Sequence, residues 1–133
     1  EEKLLPWATV KPNYVLITFA RFNGENWYIA LLHEIMHAQY FQVKKYQEIV
    51  NNYWNHRVSE KEKAQIRLAL SIAYDPKDEL LMINEFQAYL LQTGADQPNS
   101  LLHKFVPRHR QPLMKDLKKA DVEPIQIQLP IFK

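Results

Sequence analysis

The apolar residues of this chain form long runs with mostly helical spacing, separated by short polar stretches. Residues 25–55 contain neither proline nor glycine, and their first half is apolar on nearly all sides, which predicts one long helix with a buried beginning. Ser59 and Glu62 match a capping box and predict a second helix that continues to about Tyr74. The inner face of this second helix is expected to carry Ala64, Leu68 and Ile72.

A third helix is predicted between two turn signals. Asp75 and Pro76 occupy its N-cap and first helical position, and Gly94 is placed to end it after about Thr93. The centre of this helix, residues 80–91, is apolar almost all round and is therefore expected to be buried. Weaker patterns predict a helical turn at 101–106 and a short helix at 112–120.

Two segments have the composition of β-strands. Residues 14–20 are rich in β-branched and aromatic side chains, and residues 125–129 alternate with period two between Pro124 and Pro130, which favours an edge strand. The pattern predicts a mainly α fold with a small β component (α+β), in a single domain over residues 1–133. The chain begins with Glu1 rather than methionine, which leaves open that it is a fragment of a longer protein.

Composition narrows the possible chemistry. Hydrophobic residues make up 47% of the chain and charged residues 24%, as in globular domains, and a net charge of +2 does not by itself favour nucleic acid as a partner. The absence of cysteine excludes disulfides, cysteine nucleophiles and thiolate metal ligands. No apolar run approaches a membrane span and no signal-peptide pattern is present, so neither is expected. Compartment and oligomeric state stay open.

The predicted buried helix contains the sequence His33-Glu34-Ile35-Met36-His37. Residues four apart lie on one face of a helix, so the imidazoles of His33 and His37 can point at a common ion. Glu34 lies about 100° further round the helix, within reach of a water molecule held at that point. Two neutral imidazoles and an adjacent carboxylate are the groups that a zinc-activated water requires.

Catalytic zinc usually has three protein ligands, so a third is expected from elsewhere in the chain. A third histidine in the same motif would need glycine at 40 and histidine at 43, where this chain has Tyr40 and Val43. Glu85 is the best candidate, because a carboxylate inside a buried helix needs a positive partner. Two alternatives stay open: Glu79 as the ligand, or Glu85 in a structural ion pair with an arginine such as Arg67.

The sequence HEIMH at 33–37, followed on a later helix by NEFQAY at 84–89, resembles the motif pair of the gluzincins, the thermolysin-like and related zinc metallopeptidases. The resemblance covers about residues 14–93. It implies a zincin-like fold in which an edge strand at 14–20 precedes an active-site helix, a connecting helix and a glutamate helix. Thermolysin-like enzymes have an acidic residue four positions after the ligand glutamate, and this acid forms a hydrogen bond to a ligand histidine. The chain has Tyr89 at that position, so another residue must supply the hydrogen bond.

The function implied by this resemblance is zinc-dependent hydrolysis of peptide bonds. His33, His37 and Glu85 would hold Zn²⁺, and Glu34 would act as the general base toward the zinc-activated water. The partner would be a peptide or protein substrate, held by strand addition to residues 14–20. The donor that stabilises the developing oxyanion is not assigned, and the candidates are Tyr89, His103, His109 and Arg108.

Two other function classes stay open. One is a zinc-binding but non-peptidolytic module, such as a pseudoenzyme or a regulatory domain, although the intact Glu34 argues against it. The other is a helical di-iron protein, because Glu34 and His37 also match Glu-x-x-His, but a second such motif would need histidine where the chain has Ala88. Of the remaining histidines, His56 at the polar end of the first helix is expected to be solvated. His103 and His109, among Lys104, Arg108 and Arg110, are expected to form a solvated face or a contact with a substrate carboxylate rather than a nucleic-acid site.

Overall fold

A computed structural model of the chain describes residue 17 and residues 27–125. Five α-helices and one short 3-10 turn occupy 71% of these residues. The helices are α1 (Trp27–Gln42), α2 (Lys44–Arg57), α3 (Glu60–Leu70), α4 (Glu79–Leu91) and α5 (Val106–Lys119), and the 3-10 turn is His103–Phe105. Helix α4 is central, because it packs against each of the other four helices.

The α+β fold class predicted from the sequence is wrong, since no residue in the described ranges forms a strand. The predicted strands at 14–20 and 125–129 lie outside the described residues except for Ile17 and Ile125, and neither of these two is in a strand. The zincin-like arrangement with an edge strand, which the gluzincin resemblance implied, is contradicted with that fold class. The described chain is instead a helical bundle, in which apolar helix faces pack on one another.

A single side chain takes the place of a strand partner for the segment that follows α5. The backbone N–H of Ile125 donates to Gln39 Oε1 at 2.9 Å, and Gln39 Nε2 donates to the Glu123 carbonyl oxygen at 2.8 Å. Gln39 is 5% exposed and lies on α1, so this pair of bonds holds the extended segment against that helix. Both backbone groups are satisfied without a neighbouring strand.

The single helix predicted for 25–55 is divided at Val43 into α1 and α2. Val43 adopts φ −107° and ψ 93°, outside the helical region. Its N–H still donates to the Gln39 carbonyl oxygen at 2.9 Å, so the chain bends without losing the hydrogen bond. The bend allows the rings of Tyr40 and Tyr46, both fully buried, to enter the core from the two helices. Tertiary packing therefore overrides the continuous local propensity.

Helix α4 confirms the third predicted helix but begins later than its turn signal. Asp78, rather than Asp75 with Pro76, is the N-cap, and its side chain accepts from the Leu81 backbone N–H at 3.0 Å. Gly94 follows the end of the helix with φ +73°, a left-handed conformation that favours glycine. The buried core that α4 completes includes Trp54, Phe86, Met82 and Leu90, none of them exposed. The turn and short helix predicted for 101–106 and 112–120 correspond to the 3-10 turn and to α5, which begins at Val106.

The inner face of α3 differs from the predicted one. Leu68 and Ile72 are 75% and 83% exposed, and Ala64 is exposed as well. The residues that α3 buries are Glu62, Lys63, Ile66 and Leu70, and the helix ends at Leu70. Polar contacts help to set this orientation, because the Lys63 ammonium lies 5.8 Å from the centre of the Trp54 ring.

Glu62 joins the capped start of α3 to α5. The predicted capping box is present: the Ser59 hydroxyl accepts from the Glu62 backbone N–H, and the Glu62 carboxylate accepts from the Ser59 backbone N–H. The other Glu62 oxygen lies 3.2 Å from His109 Nε2 and 3.0 Å from Arg108 Nη1. His109 is 1% exposed, and its Nδ1 lies 3.1 Å from the Tyr53 hydroxyl. His109 is therefore not part of a solvated face, one of the two arrangements expected for it, because it is buried and these partners satisfy both ring nitrogens.

Acidification is expected to destabilise the protein through this buried network. Burial, the largest influence on His109, lowers its pKa below the ordinary 6.5 even though Glu62 opposes the shift. The unfolded chain therefore takes up this proton first, and stability is lost as the pH falls below about 6.5. For Glu62, burial raises the pKa, but hydrogen bonds from Ser59 and His109 outweigh burial and hold the pKa below 4.5. Its contribution is present above about pH 4.5 and is lost as the pH falls toward the folded-state pKa.

Urea unfolding midpoints measured from neutral pH down to about pH 4 test this expectation. The His109→Gln variant, which cannot titrate at this position, should lose less stability than the wild type between neutral pH and about pH 5. Equal losses in the two proteins would contradict the assignment of this step to His109.

Candidate metal centre

Helices α1 and α4 bring the three predicted ligands to one point. His33 and His37 lie one turn apart on α1, and their rings meet edge to face with centroids 4.6 Å apart. Glu85 lies in the middle of α4, which packs directly against α1. Both helices are apolar on most sides, so packing them buries the polar side chains between them: Glu85 is 4% exposed and His33 is 9% exposed.

The donor atoms of these residues face one another. His33 Nε2 lies 3.0 Å from His37 Nε2 and 3.2 Å from Glu85 Oε2, and His37 Nε2 lies 3.4 Å from Glu85 Oε1. A four-coordinate zinc ion with bonds of about 2.0–2.1 Å separates neighbouring donors by about 3.3 Å, so the observed spacing fits such an ion. The group His33, His37 and Glu85 could therefore hold a metal ion, as predicted, although its geometry does not identify which metal.

The hydrogen bonding of His33 supports the same conclusion. Its Nδ1 lies 2.8 Å from Gln92 Oε1, and since an amide oxygen can only accept, Nδ1 carries the proton. The neutral ring then presents the Nε2 lone pair to the Glu85 carboxylate, which also offers only lone pairs. Facing lone pairs repel unless a cation or a proton lies between them.

The pKa of His33 reflects this demand for positive charge. Burial, the largest influence, lowers the pKa, but hydrogen bonds to Glu85 and Gln92 and the charges of Glu85 and Glu34 together raise it above 6.5. No lysine or arginine in the described ranges forms an ion pair with Glu85. The partners of the buried Glu85 carboxylate are therefore the imidazoles of His33 and His37. A buried negative charge with only these partners favours a bound cation.

Glu34 follows His33 directly on α1. It is half-buried on α1, and its charge is close enough to influence the pKa of both His33 and Tyr89. Within the described part of the chain, its carboxylate forms no hydrogen bond or ion pair. The described structure therefore gives this carboxylate no partner that would compete for it.

Two tyrosines complete the surroundings. The Tyr89 ring lies 4.6 Å from the His33 ring, centroid to centroid, and the Tyr89 hydroxyl is 3.3 Å from that of Tyr74. Burial is the main reason that both phenols have a raised pKa, and the Glu85 charge raises both further. Both hydroxyls therefore keep their protons at neutral pH and can act as hydrogen-bond donors.

Sequence reasoning missed Tyr74 and Gln92 as neighbours of the site. Tyr74 was assigned to the end of the second predicted helix, and Gln92 has no local pattern that marks it. One signal could have found Gln92: it lies seven residues after Glu85, which is two helical turns and hence the same face of α4.

The other candidate residues are placed elsewhere. The carboxylate of Glu79 accepts from Trp54 Nε1 at 2.7 Å and pairs with the Arg67 guanidinium, so Arg67 is the partner of Glu79 and not of Glu85. His109 contacts Tyr53 and Glu62, and Arg108 forms an ion pair with Glu62. The remaining two histidines do not join the metal group: His103 Nδ1 donates to the Ser100 carbonyl oxygen, and His56 is exposed as predicted.

No protein-family model matches this chain, and no curated protein or solved structure matches it either. The gluzincin resemblance therefore rests on the two motifs alone. Among the described residues, none of the helices has both the length and the apolar character needed to cross a membrane. Function has to be inferred from the chemistry of the metal group and its neighbours.

Proposed function

We propose that this protein is a zinc-dependent peptidase in which His33, His37 and Glu85 hold the metal and Glu34 is the general base. The observation that carries the proposal is the convergence of two imidazole nitrogens and the two oxygens of one carboxylate, with contacts of 3.0–3.4 Å between residues, beside a second carboxylate with no other described partner. Zinc hydrolases such as thermolysin bind the metal through two histidines and one acid. The fourth coordination position of the zinc is left to water or substrate. When bound, zinc would supply Lewis acidity toward water and a carbonyl oxygen.

The residues of the chain divide the remaining work. Glu34 accepts the proton of the attacking water and later delivers it to the leaving amine. The protonated hydroxyl of Tyr89, whose ring lies against His33, donates to the oxygen on which negative charge develops. Tyr74 orients that hydroxyl through the 3.3 Å contact between the two oxygens.

Access to the site is consistent with a substrate of this kind. Glu34 and His37 are only half-buried, and a cavity of about 210 Å³ lies next to the site, where it borders Tyr89 and Gln92, two of the residues that contact His33.

Metal stoichiometry tests the ligand set. The wild type is expected to retain about one zinc ion per chain after dialysis against metal-free buffer, as measured by elemental analysis. Glu85→Ala should lose this zinc, because the two imidazoles alone hold it weakly and an apolar cavity replaces the charged ligand. Glu79→Ala is the matched control: it removes a glutamate from the first turn of the same helix, where the acid pairs with Arg67 instead.

The outcome also separates the alternative functions. Zinc bound at unit stoichiometry without cleavage of any member of a mixed peptide library would favour the non-peptidolytic module. Iron bound in pairs would favour the di-iron class, although only one group of three metal-binding side chains is found in the described part of the chain. Equal zinc content in wild type and Glu85→Ala would contradict the proposed ligand set.

A further inference from the structure

Gln92 lies at the junction between the metal group and the end of α4. It is the C-cap residue of that helix, where its backbone turns to φ −61° and ψ 157° while its N–H still donates to the Ala88 carbonyl oxygen. Gln92 is 6% exposed, and its side-chain Oε1 lies 2.8 Å from His33 Nδ1. A buried amide with a fixed backbone and a short hydrogen bond has little freedom to turn away.

The two histidines of the site differ in this respect. Within residue 17 and residues 27–125, buried His37 Nδ1 has no hydrogen-bond partner, whereas His33 Nδ1 has Gln92. A ring N–H that donates to a fixed acceptor sets both the tautomer and the orientation of an imidazole ligand. Among the described residues, Gln92 is the only acceptor that does so for either histidine.

We infer that Gln92 is a positioning residue that sets the metal affinity of the site by holding His33 with Nδ1 protonated and Nε2 free. This inference rests on the proposed function, because it assumes that His33 is a ligand. The acceptor is a neutral amide rather than a carboxylate, so it orients the ring without adding a further negative charge to the buried group. The negative charge near the metal then comes from Glu85 and Glu34 alone among the residues that contact or influence His33.

Zinc affinity, measured by competition with a chromogenic chelator, tests the inference without any activity assay. The Gln92→Met variant keeps the length of the side chain but removes the acceptor, and is expected to bind zinc about 10–100-fold more weakly. Gln92→Glu restores an acceptor and should bind zinc at least as tightly as the wild type. Gln65→Met is the matched control, because it makes the same exchange at an exposed position of α3 and should leave the affinity unchanged.

A second readout separates positioning from a merely structural role. Nitrogen-15 shifts of the His33 ring in the metal-free protein, measured at a pH high enough for the ring to be neutral, should show the proton on Nδ1 in the wild type and a mixture of tautomers in Gln92→Met. A variant that is less stable but keeps the wild-type affinity and tautomer would overturn the inference. If the wild type itself binds no zinc, the proposed function fails first, and that result is distinguishable because it appears before any variant is made.

Discussion

Replacing Glu34 with glutamine is expected to abolish most peptide cleavage while the protein keeps its metal. The exchange is nearly isosteric, but an amide cannot accept the proton of the attacking water, so kcat should fall by about 10²–10⁴-fold. His33, His37 and Glu85 are unchanged in this variant, and their donor atoms are expected to remain 3.0–3.4 Å apart. Cleavage of a quenched fluorescent peptide, together with zinc content, measures both halves of the expectation.

Glu48→Gln is the matched control for this variant. Glu48 is an exposed glutamate on α2, and its carboxylate pairs with Lys44 of the same helix at 3.8 Å. Its replacement should change neither cleavage nor zinc content. A Glu34→Gln protein that cleaves as fast as the wild type would remove Glu34 from the mechanism and leave a metal group of another purpose.

Zinc is expected to raise the thermal stability of the protein by a large margin. The metal-free site brings the lone pairs of His33, His37 and Glu85 together, and a cation replaces their mutual repulsion with attraction. A ligand that binds only the folded state adds about 4 kcal/mol when its free concentration is a thousand times its dissociation constant. At roughly 4 °C per kcal/mol for a domain of this size, Tm should rise by on the order of 15 °C.

Calorimetry with zinc, and then with excess chelator, checks this second expectation. The increase in Tm should reverse on chelation and should be absent in Glu85→Ala, but present in Glu79→Ala. Magnesium prefers six oxygen ligands, so it should not reproduce the effect. A similar increase with magnesium, or in Glu85→Ala, would show that the metal stabilises the fold at some other position.

The metal group could be predicted from the sequence because its determinants are local. His33 and His37 face the same way on any helix, and that follows from their four-residue spacing alone. Glu85 stood out because it is a carboxylate within a helix that is otherwise apolar, and such a carboxylate needs a cationic partner. Both arguments hold whatever the surrounding topology, so the ligand group could form in a fold other than the one expected.

The fold was less predictable because its determinants are distant. Val43 divides a segment with no helix breaker, and the buried rings of Tyr40 and Tyr46 on either side of it are the visible cause. The orientation of α3 depends on Glu62 and Lys63, whose polar partners belong to α5 and α2. Hydrophobic periodicity describes only the spacing of apolar residues and contains no information about such polar partners.

The prediction of a small β component was wrong for a related reason. Strand composition predicts a backbone that needs partners, but not which atoms supply them. At Ile125 the partner is the side-chain amide of Gln39, 86 positions earlier in the sequence, which no local pattern could indicate.

The attachment made by Gln39 involves only main-chain atoms of the segment that it holds. This contact therefore places no requirement on the side chains at positions 123 and 125. Proline at 125 is the exception, because proline has no backbone N–H to donate. Gln39, in contrast, has to stay an amide, since a shortened or charged replacement would lose the donor or the acceptor. Because Gln39 lies two residues after His37, the helix that carries the two candidate metal-binding histidines also holds residues 123–125 in place.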